Sequence, residues 1–173
     1  MGSSEVTNMI IAGIGETLYM TLVSTIAGYI IGLPMGIVLT VSDKDGIRPN
    51  SFIYKILDVI VNIVRSIPFI ILLVLLIPFT RFLVGKSYGS TATIVPLVVA
   101  AAPYIARMVE SSLKEVDAGV IEAARSMGAS DFDIVTKVLL VEARTSLLVG
   151  ATISLGTILG YSAMSGAVGG GGL

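Results

Sequence analysis

The sequence contains neither cysteine nor histidine among its 173 residues. Without cysteine there is no disulfide bond and no thiol nucleophile, and without histidine the commonest acid–base group and the commonest transition-metal ligand are missing. The glycines near the C-terminus are not a phosphate-binding loop, because no Lys-Ser or Lys-Thr pair comes after them. We therefore expect no catalytic residues, no metal site and no cofactor in this chain.

Charged residues are scarce as well, at 13% of the chain, whereas hydrophobic residues make up 54%. A soluble domain carries about 25% charged residues, so this chain cannot cover a water-facing surface with polar groups. The composition predicts an integral protein of the cell membrane, embedded in the lipid bilayer. The formal net charge of −1 argues against nucleic acid as a partner, because phosphates require a basic surface.

Four apolar segments are long enough to cross a bilayer as helices, which takes about 20 residues. They occupy approximately residues 18–41, 59–79, 91–108 and 147–164. We predict an all-α fold, with residues 1–173 forming a single transmembrane domain. The opening MGSSEVTNM lacks the basic stretch of a cleaved signal peptide, so the first segment is expected to stay in the mature protein.

Lysine and arginine are distributed unevenly around these segments. Eight of them lie on one side of the predicted membrane: Lys44, Arg48, Lys55, Arg107, Lys114, Arg125, Lys137 and Arg144. The opposite side holds only Arg81 and Lys86. By the positive-inside rule, we predict that the N-terminus lies outside and that the loop at about 109–144 lies in the cytoplasm.

Two of the segments carry small residues at four-residue spacing. Gly28, Gly32 and Gly36 recur in the first segment, and Gly156 and Gly160 repeat the pattern in the fourth. Because close backbone contact drives the packing of helices in lipid, these glycines are predicted to lie at helix–helix seams.

Arg65 is the charge closest to the hydrocarbon core. It ends a stripe of polar residues in an otherwise apolar stretch, and an ionisable group at that depth is a candidate for function. A side chain that reaches back to the headgroups explains the same pattern. The sequence leaves these two interpretations open.

The cytoplasmic loop has the signals of two short helices joined by a turn. Asp117 is placed to cap the first helix, Gly128 to end it in a left-handed conformation, and Ser130 to cap the second helix. We expect Glu122 and Arg125, three residues apart, to pair along the water-facing side. The neighbouring alanines are expected to form an exposed flat surface that another protein can approach.

The order of residues in this loop resembles the EAA loop of ABC importer permeases. Glu122-Ala123-Ala124 is followed after three residues by Gly128, and after nine more by Val138-Leu139-Leu140. The proline that closes the motif in the family is replaced by Val141, which is expected to continue the helix.

Four further stretches are similar to permease subunits of methionine ABC importers, and the resemblance covers nearly the whole chain. They are GETLYMTLVS, VNIVRSIPFIILLVLLIPFTR, AAPYIARMVE and GYSAMSGAVGGGGL. Such permeases have five membrane helices, so the resemblance implies the same bundle with the fifth helix missing by truncation. We expect the glycine-rich end to be a flexible tail outside the cell.

The resemblance also implies partners and roles. The permease would form a homodimer and would bind two copies of a separate ABC ATPase, which carries ATP and magnesium. A lipid-anchored binding protein outside the cell would deliver methionine, with the range of stereoisomers left open. The residues implied to contact the ATPase are Glu122, Ala123, Ala124, Gly128 and Ala129.

Tyr161, Ser162 and Met164 lie at the outer end of the fourth segment, next to the glycine-rich stretch. We predict that they line the translocation pathway, with the thioether of Met164 offering a soft surface to an apolar substrate. An ordinary packed helix end is the alternative interpretation.

Three other functions fit the sequence less well. An importer permease for another amino acid or small solute would have the same architecture. A secondary transporter usually places ionisable residues in mid-membrane, and here no acidic residue lies within a segment. A membrane scaffold is the third alternative, and it would not bind an ATPase.

Overall fold

A computed structural model describes residues 3–172 of the chain, which form helices joined by short turns. Those residues contain no β-strand, and the all-α fold class is thereby confirmed. The helices are α1 (Ser3–Ser42), α2 (Ser51–Ser66), α3 (Phe69–Leu75), α4 (Ile77–Val84), α5 (Ser90–Lys114), α6 (Ala118–Ser126), α7 (Asp131–Asp133), a π-helix (Ile134–Leu139), α8 (Leu140–Glu142) and α9 (Arg144–Gly166).

Three helices within residues 3–172 are long and apolar enough to cross a bilayer, namely α1, α5 and α9. The pair of α2 and α3 meets the same length and composition requirement but is bent by 102° between its two parts. The described chain therefore offers three straight membrane helices and one broken span or re-entrant loop.

The break between α2 and α3 is caused by Pro68. The residue before a proline is disfavoured in the α-helical conformation, and Ile67 is extended with φ −84° and ψ 122°. Proline itself has no N–H with which to continue the helical hydrogen bonds. The apolar segment predicted at about 59–79 is consequently divided between α2 and α3, and a separate turn at Leu76 precedes α4.

Helix α5 is the centre of the bundle, and its most extensive contact is with α1. Its fully buried face repeats every four residues, at Leu97, Ala101, Ile105, Val109 and Leu113. Such a stripe stays on one side of a helix and gives a continuous surface for one neighbour.

The three glycines of α1 lie directly against that face of α5. A Cβ atom added to Gly32 would lie 2.6 Å from the carbonyl oxygen of Ala102, and one added to Gly36 would lie 2.6 Å from that of Ala106. At Gly28 the nearest atom would be the Cβ of Ala101, at 2.9 Å. The two backbones therefore touch, as small residues allow in membrane helix pairs.

The second glycine pair has a different environment. A Cβ atom added to Gly156 or Gly160 would meet no atom within 4 Å among the described residues. This face of α9 is thus open in the single chain.

The glycine-rich end is not the flexible tail that the sequence suggested. The N–H of Gly172 donates to the carboxylate of Glu16 in α1 at 2.7 Å. The hydroxyl of Thr93 in α5 donates to the carbonyl of Gly170 at 3.0 Å, and the Gly89 N–H donates to the carbonyl of Gly169 at 3.0 Å. The segment is fixed because its small residues let other helices bond directly to its backbone.

Candidate functional site

The polar segment between α5 and α9 begins with a helix that is capped at both ends. The carboxylate of Asp117 accepts a hydrogen bond from the N–H of Gly119 at 2.7 Å, which satisfies one free donor at the start of α6. At the other end, Gly128 has a φ of +84°. Its N–H donates to the Arg125 carbonyl at 3.0 Å, and the Ala129 N–H donates to the Ala124 carbonyl at 3.1 Å. These two bonds form a Schellman motif, which requires the left-handed conformation that glycine adopts at least cost.

The second arm of the segment starts at Ser130, as its capping pattern predicts. The Ser130 hydroxyl oxygen accepts from the Asp133 N–H at 3.2 Å, and the same hydroxyl donates to the Asp133 carboxylate at 2.5 Å. Lys137, one turn later, forms an ion pair with Asp133 at 2.5 Å. The Lys137 ammonium and the Ser130 hydroxyl together hold the pKa of Asp133 below its ordinary value.

The turn after Asp133 is wider than an α-helix. Residues Ile134–Leu139 form a π-helix, and the Leu140 N–H bonds to the carbonyl of Val135, five residues earlier. Such π-helical turns shift the later side chains around the helix axis. Val141, which occupies the motif's proline position, lies within the helical turn α8 and is exposed.

We define residues 117–142 as the coupling segment. Of the pair of alanines expected to be exposed, only Ala123 faces outward, together with Glu122. Ala124 is buried in the same cluster as Leu113, Ile134 and Leu139, and Ala129 packs against that cluster. The expectation of an exposed alanine pair is therefore wrong, because adjacent helical residues point in directions about 100° apart.

Two large apolar residues stand exposed on either side of Gly128. Met127 is 83% exposed and Phe132 is 76% exposed. In a continuous helix Met127 would lie on one face with Ile121 and Ala124. In the structure α6 ends at Ser126, so Met127 no longer obeys the helical period. A methionine directly before a helix-ending glycine was the available signal for this exposed position.

Arg125 ties the coupling segment to the turn after α1. Its Nη2 donates to the carbonyl oxygen of Ile47 at 2.6 Å and lies 4.0 Å from the Asp131 carboxylate. The predicted pairing of Arg125 with Glu122 is not formed, and within residues 3–172 the Glu122 side chain has no ion pair. A cavity of about 420 Å³ separates α6 from residues 43–47 and is lined by both of these side chains.

A chain of ion pairs continues from this turn into the bundle. The buried carboxylate of Glu110 is bonded to Arg107 at 2.6 Å and to Lys114 at 2.8 Å. Lys114 also pairs with Asp43 at 2.6 Å, which links α5 to the end of α1. Arg107 in turn pairs with Asp58 of α2. A carboxylate as buried as Glu110 needs such partners to offset its lost hydration.

The ammonium of Lys114 acts on the carboxyl group of Asp43, directly after α1. Its hydrogen bond to Asp43 holds the pKa of that carboxyl below its ordinary value, and the backbone N–H of Lys44 adds to the effect. Asp43 therefore stays ionised, and the link between α1 and α5 stays charged, throughout the neutral range.

The three residues predicted to line a pathway have three different environments. Tyr161 is half-buried, and its ring stacks on Phe69 of α3 at a centroid distance of 4.8 Å and an interplanar angle of 7°. Ser162 is buried against α1, 3.4 Å from the hydroxyl of Thr21. Met164 is exposed. The structure thus brings Tyr161 into contact with the broken span and encloses Ser162 between two helices.

No group of three or more acidic side chains in residues 3–172 is arranged to hold a metal ion. The coupling segment is instead a mostly polar elbow, and Met127 and Phe132 are its most exposed apolar side chains. Such a shape suits contact with another protein, because exposed Met and aromatic residues are enriched at protein interfaces.

Comparison with protein families gives a match over most of the chain. Residues 28–173 match the model of the binding-protein-dependent transport system inner membrane component. The D-methionine transport system permease protein MetI of Salmonella typhimurium is 56% identical over 158 residues, which cover 91% of this chain and 73% of that protein. The probable D-methionine transport permease of Vibrio cholerae is 45% identical over 166 residues, covering 96% of this chain and 74% of that protein.

Solved structures give a consistent result. The methionine ABC transporter MetNI in an inward-facing conformation contains a chain that is 54% identical, with a TM-score of 0.96. The match covers 99% of this chain and 79% of that one. An amino acid ABC transporter with histidines matches at a TM-score of 0.77 and 24% identity, over 96% of this chain and 74% of that one. The latter likeness is one of fold alone.

Proposed function

The chain belongs to the family of binding-protein-dependent transport system inner membrane components, and we propose that it is the permease subunit of an ATP-driven importer of methionine. It is a membrane transport subunit and not an enzyme. ATP and magnesium would be bound by a separate ATPase, since this chain has no nucleotide-binding loop.

One observation carries the choice of substrate. The identity of 56% with a D-methionine permease extends over 91% of the chain, and is not restricted to the short loop motif. Agreement of this extent includes the membrane helices, which are the parts that would contact the substrate.

The coupling segment is the proposed contact with the ATPase. Met127 and Phe132 would be its apolar anchors, since they are the large side chains that it leaves exposed beside the Gly128 turn. Ala123 allows close approach, and Glu122 offers an unpaired charge for an ionic contact. Ala124 and Ala129, which pack inward, would shape the elbow without touching the partner.

Movement of that elbow has a physical route into the membrane helices. Arg125 connects it to Ile47 after α1, and Lys114 connects the same turn to α5. Glu110 and Arg107 extend the connection to α2. A rigid-body displacement of α6 by an ATPase would thus act on three helices at once, as required for alternating access.

Further features of the proposal rest on charge distribution and family membership. The coupling segment would face the cytoplasm and the N-terminus the outside, in agreement with the excess of lysine and arginine on one side. The crossings at about 18–41, 91–108 and 147–164 are supported by the lengths of α1, α5 and α9, and the one at 59–79 would be the bent pair. The assembly would contain two permeases, two ATPase subunits and a lipid-anchored binding protein.

Uptake of radiolabelled methionine tests this function directly. The gene would be expressed with its companion ATPase in cells without their own methionine importer, and uptake should be reduced by excess unlabelled methionine. Stronger competition by another amino acid would reject methionine as the substrate. Failure of any ATPase to co-purify with the complete gene product would reject the importer itself.

A substitution at Ala123 tests the docking contact separately. Ala123→Trp should abolish uptake while leaving insertion into the membrane intact, because the bulky ring would hold the ATPase away. Arg144→Trp, at an exposed residue beyond the coupling segment, is the matched control. Equal uptake by Ala123→Trp and the control would show that Ala123 does not contact the ATPase.

A further inference from the structure

A small, partly open cavity lies where the broken span meets α5 and α9. Its volume is about 190 Å³, and it is lined by Arg65 of α2, Phe69 of α3, Tyr104 of α5 and Tyr161 of α9, with aliphatic side chains between them. Pockets for drug-sized ligands start at about 300 Å³. This cavity therefore suits a smaller molecule.

Arg65 gives the cavity a charge without a partner. Within residues 3–172 its guanidinium has neither a hydrogen bond nor an ion pair, whereas Arg107 on the same side of the bundle bonds to Asp58 and Glu110. The Arg65 side chain is exposed in the single chain. An ionisable group in a membrane span is usually paired, and an unpaired one is a candidate for a functional site. The missing partner of a guanidinium is an anion, best a carboxylate that can accept two parallel hydrogen bonds.

The contacts between α2 and α5 locate Arg65 relative to α5. Tyr54 bonds to Glu110 and Asn62 bonds to Arg107, so the two helices run antiparallel. Further along, Arg65 and Tyr104 line the same cavity, and Tyr104 lies four residues inside the crossing at about 91–108, roughly 6 Å from its end. The cavity lies next to the α2–α3 break, and interrupted helices of this kind form the substrate sites of many transporters.

The opposite wall of the cavity is flat and apolar. Phe69 and Tyr161 stack with nearly parallel rings, 4.8 Å between centroids. The Tyr104 hydroxyl, which accepts a hydrogen bond from Thr157 at 3.3 Å, adds a polar group beside them. A thioether makes favourable contacts with aromatic rings, so this wall suits a sulfur-containing or other unbranched apolar side chain.

We propose that this cavity is a binding site for a single free amino acid on its way through the membrane. Arg65 binds the carboxylate of the amino acid, and the stacked rings of Phe69 and Tyr161 hold its apolar side chain. The proposal rests on the proposed importer function and adds to it a site within one permease subunit, separate from the binding protein.

Direct binding to the assembled complex of permease and ATPase, without the binding protein, tests the site. The probes are radiolabelled L-methionine and its decarboxylated analogue, methylthiopropylamine, each measured by equilibrium binding. The unsubstituted complex should bind methionine about ten- to hundredfold more tightly than the analogue, as expected for hydrogen bonds to a charged group. Arg65→Gln should remove this preference, and Arg81→Gln, which changes an exposed arginine of α4, should retain it.

Tyr161 provides a second, independent comparison. Tyr161→Phe keeps the ring and should bind methionine normally, whereas Tyr161→Ala removes the stack and should bind it at least about tenfold more weakly. Co-purification of the ATPase and its basal ATP hydrolysis show that each variant has folded.

The outcomes separate this proposal from the importer function. If the ATPase-containing complex imports methionine in the presence of the binding protein but Arg65→Gln keeps its preference for the carboxylate, Arg65 only reaches to the headgroups and the site is rejected. Absence of methionine binding to the unsubstituted complex rejects it too. Loss of import for methionine by the unsubstituted protein would instead refute the importer function on which the site depends.

Discussion

The contact of α1 with α5 makes the most direct physical prediction, through the substitution Gly32→Ala. The added Cβ would lie 2.6 Å from the Ala102 carbonyl oxygen and 2.8 Å from the Cβ of Ile105. Non-bonded carbon atoms are most stable at about 3.5 to 4.0 Å, so α1 must move away from α5 locally by roughly 1 Å. Neither neighbouring atom is the end of a flexible side chain, and overpacking of this kind costs about 1 to 3 kcal/mol.

Gly15→Ala, in the same helix, is the matched control. A Cβ at Gly15 would meet nothing within 4 Å, so this variant has the same gain in helix propensity without the steric conflict. The free energy of unfolding, measured in detergent micelles under reversible conditions, should be about 1 to 3 kcal/mol lower for Gly32→Ala than for Gly15→Ala. Equal stability of the two variants would refute the backbone contact between α1 and α5.

The charged residues give three further predictions. Arg125→Gln loses the charge-assisted bond to the Ile47 carbonyl. The amount of methionine imported per ATP hydrolysed, measured in reconstituted vesicles, should therefore fall. An unchanged ratio would contradict the role of this bond. Glu110→Gln removes the negative charge between two cations and should lower the free energy of unfolding by roughly 3 kcal/mol; a stability equal to that of the parent protein would show that the ion pairs contribute nothing. Because the pKa of Asp43 is depressed in the folded protein, its contribution is complete above the unfolded pKa of about 3.9 and is lost as pH falls below it. Thermal unfolding between pH 6 and pH 3 should therefore show a smaller loss for Asp43→Asn than for the parent, and parallel curves would exclude this linkage.

The local structure of the coupling segment could be predicted from its sequence. The capping of α6 by Asp117, its end at Gly128 and the start of the next helix at Ser130 all depend on hydrogen bonds between residues at most five apart. Such bonds are set by the identity of the capping residue and by the backbone conformation it favours. They form in the same way whatever the remainder of the fold is.

The faces of the same segment could not be predicted in this way. Helical periodicity puts Met127 on the same face as Ala124, and the alanine pair was expected to be exposed, whereas Met127 is exposed and Ala124 is buried. Periodicity assumes that a regular helix continues, but α6 ends before Met127, and the π-helix at Ile134–Leu139 changes the helical phase of the residues after it. Which face is covered also depends on distant residues such as Leu113.

Ion pairs and hydrogen bonds between residues far apart in the chain could not be predicted from the sequence either. Asp58 and Asn62 fall on one stripe of α2, a pattern that favours a helix lying at the membrane interface. In the structure both are bonded to Arg107, more than 40 residues later in the chain. A polar stripe indicates only that its side chains do not face lipid. Such side chains can bond to a partner on another helix as well as to water.

The two glycine stripes also show that a sequence pattern does not identify its contact partner. They have equal spacing, yet the glycines of α1 lie against α5, whereas a Cβ atom added to Gly156 or Gly160 would meet nothing within 4 Å in the described chain. In water a pattern of apolar residues must be buried, because exposure is costly. In a bilayer a face of small residues is no more costly against lipid than against protein, so spacing permits a close helix contact without requiring one. For membrane helices, therefore, sequence periodicity identifies the surfaces able to pack closely, and only the structure identifies which of them do so within one chain.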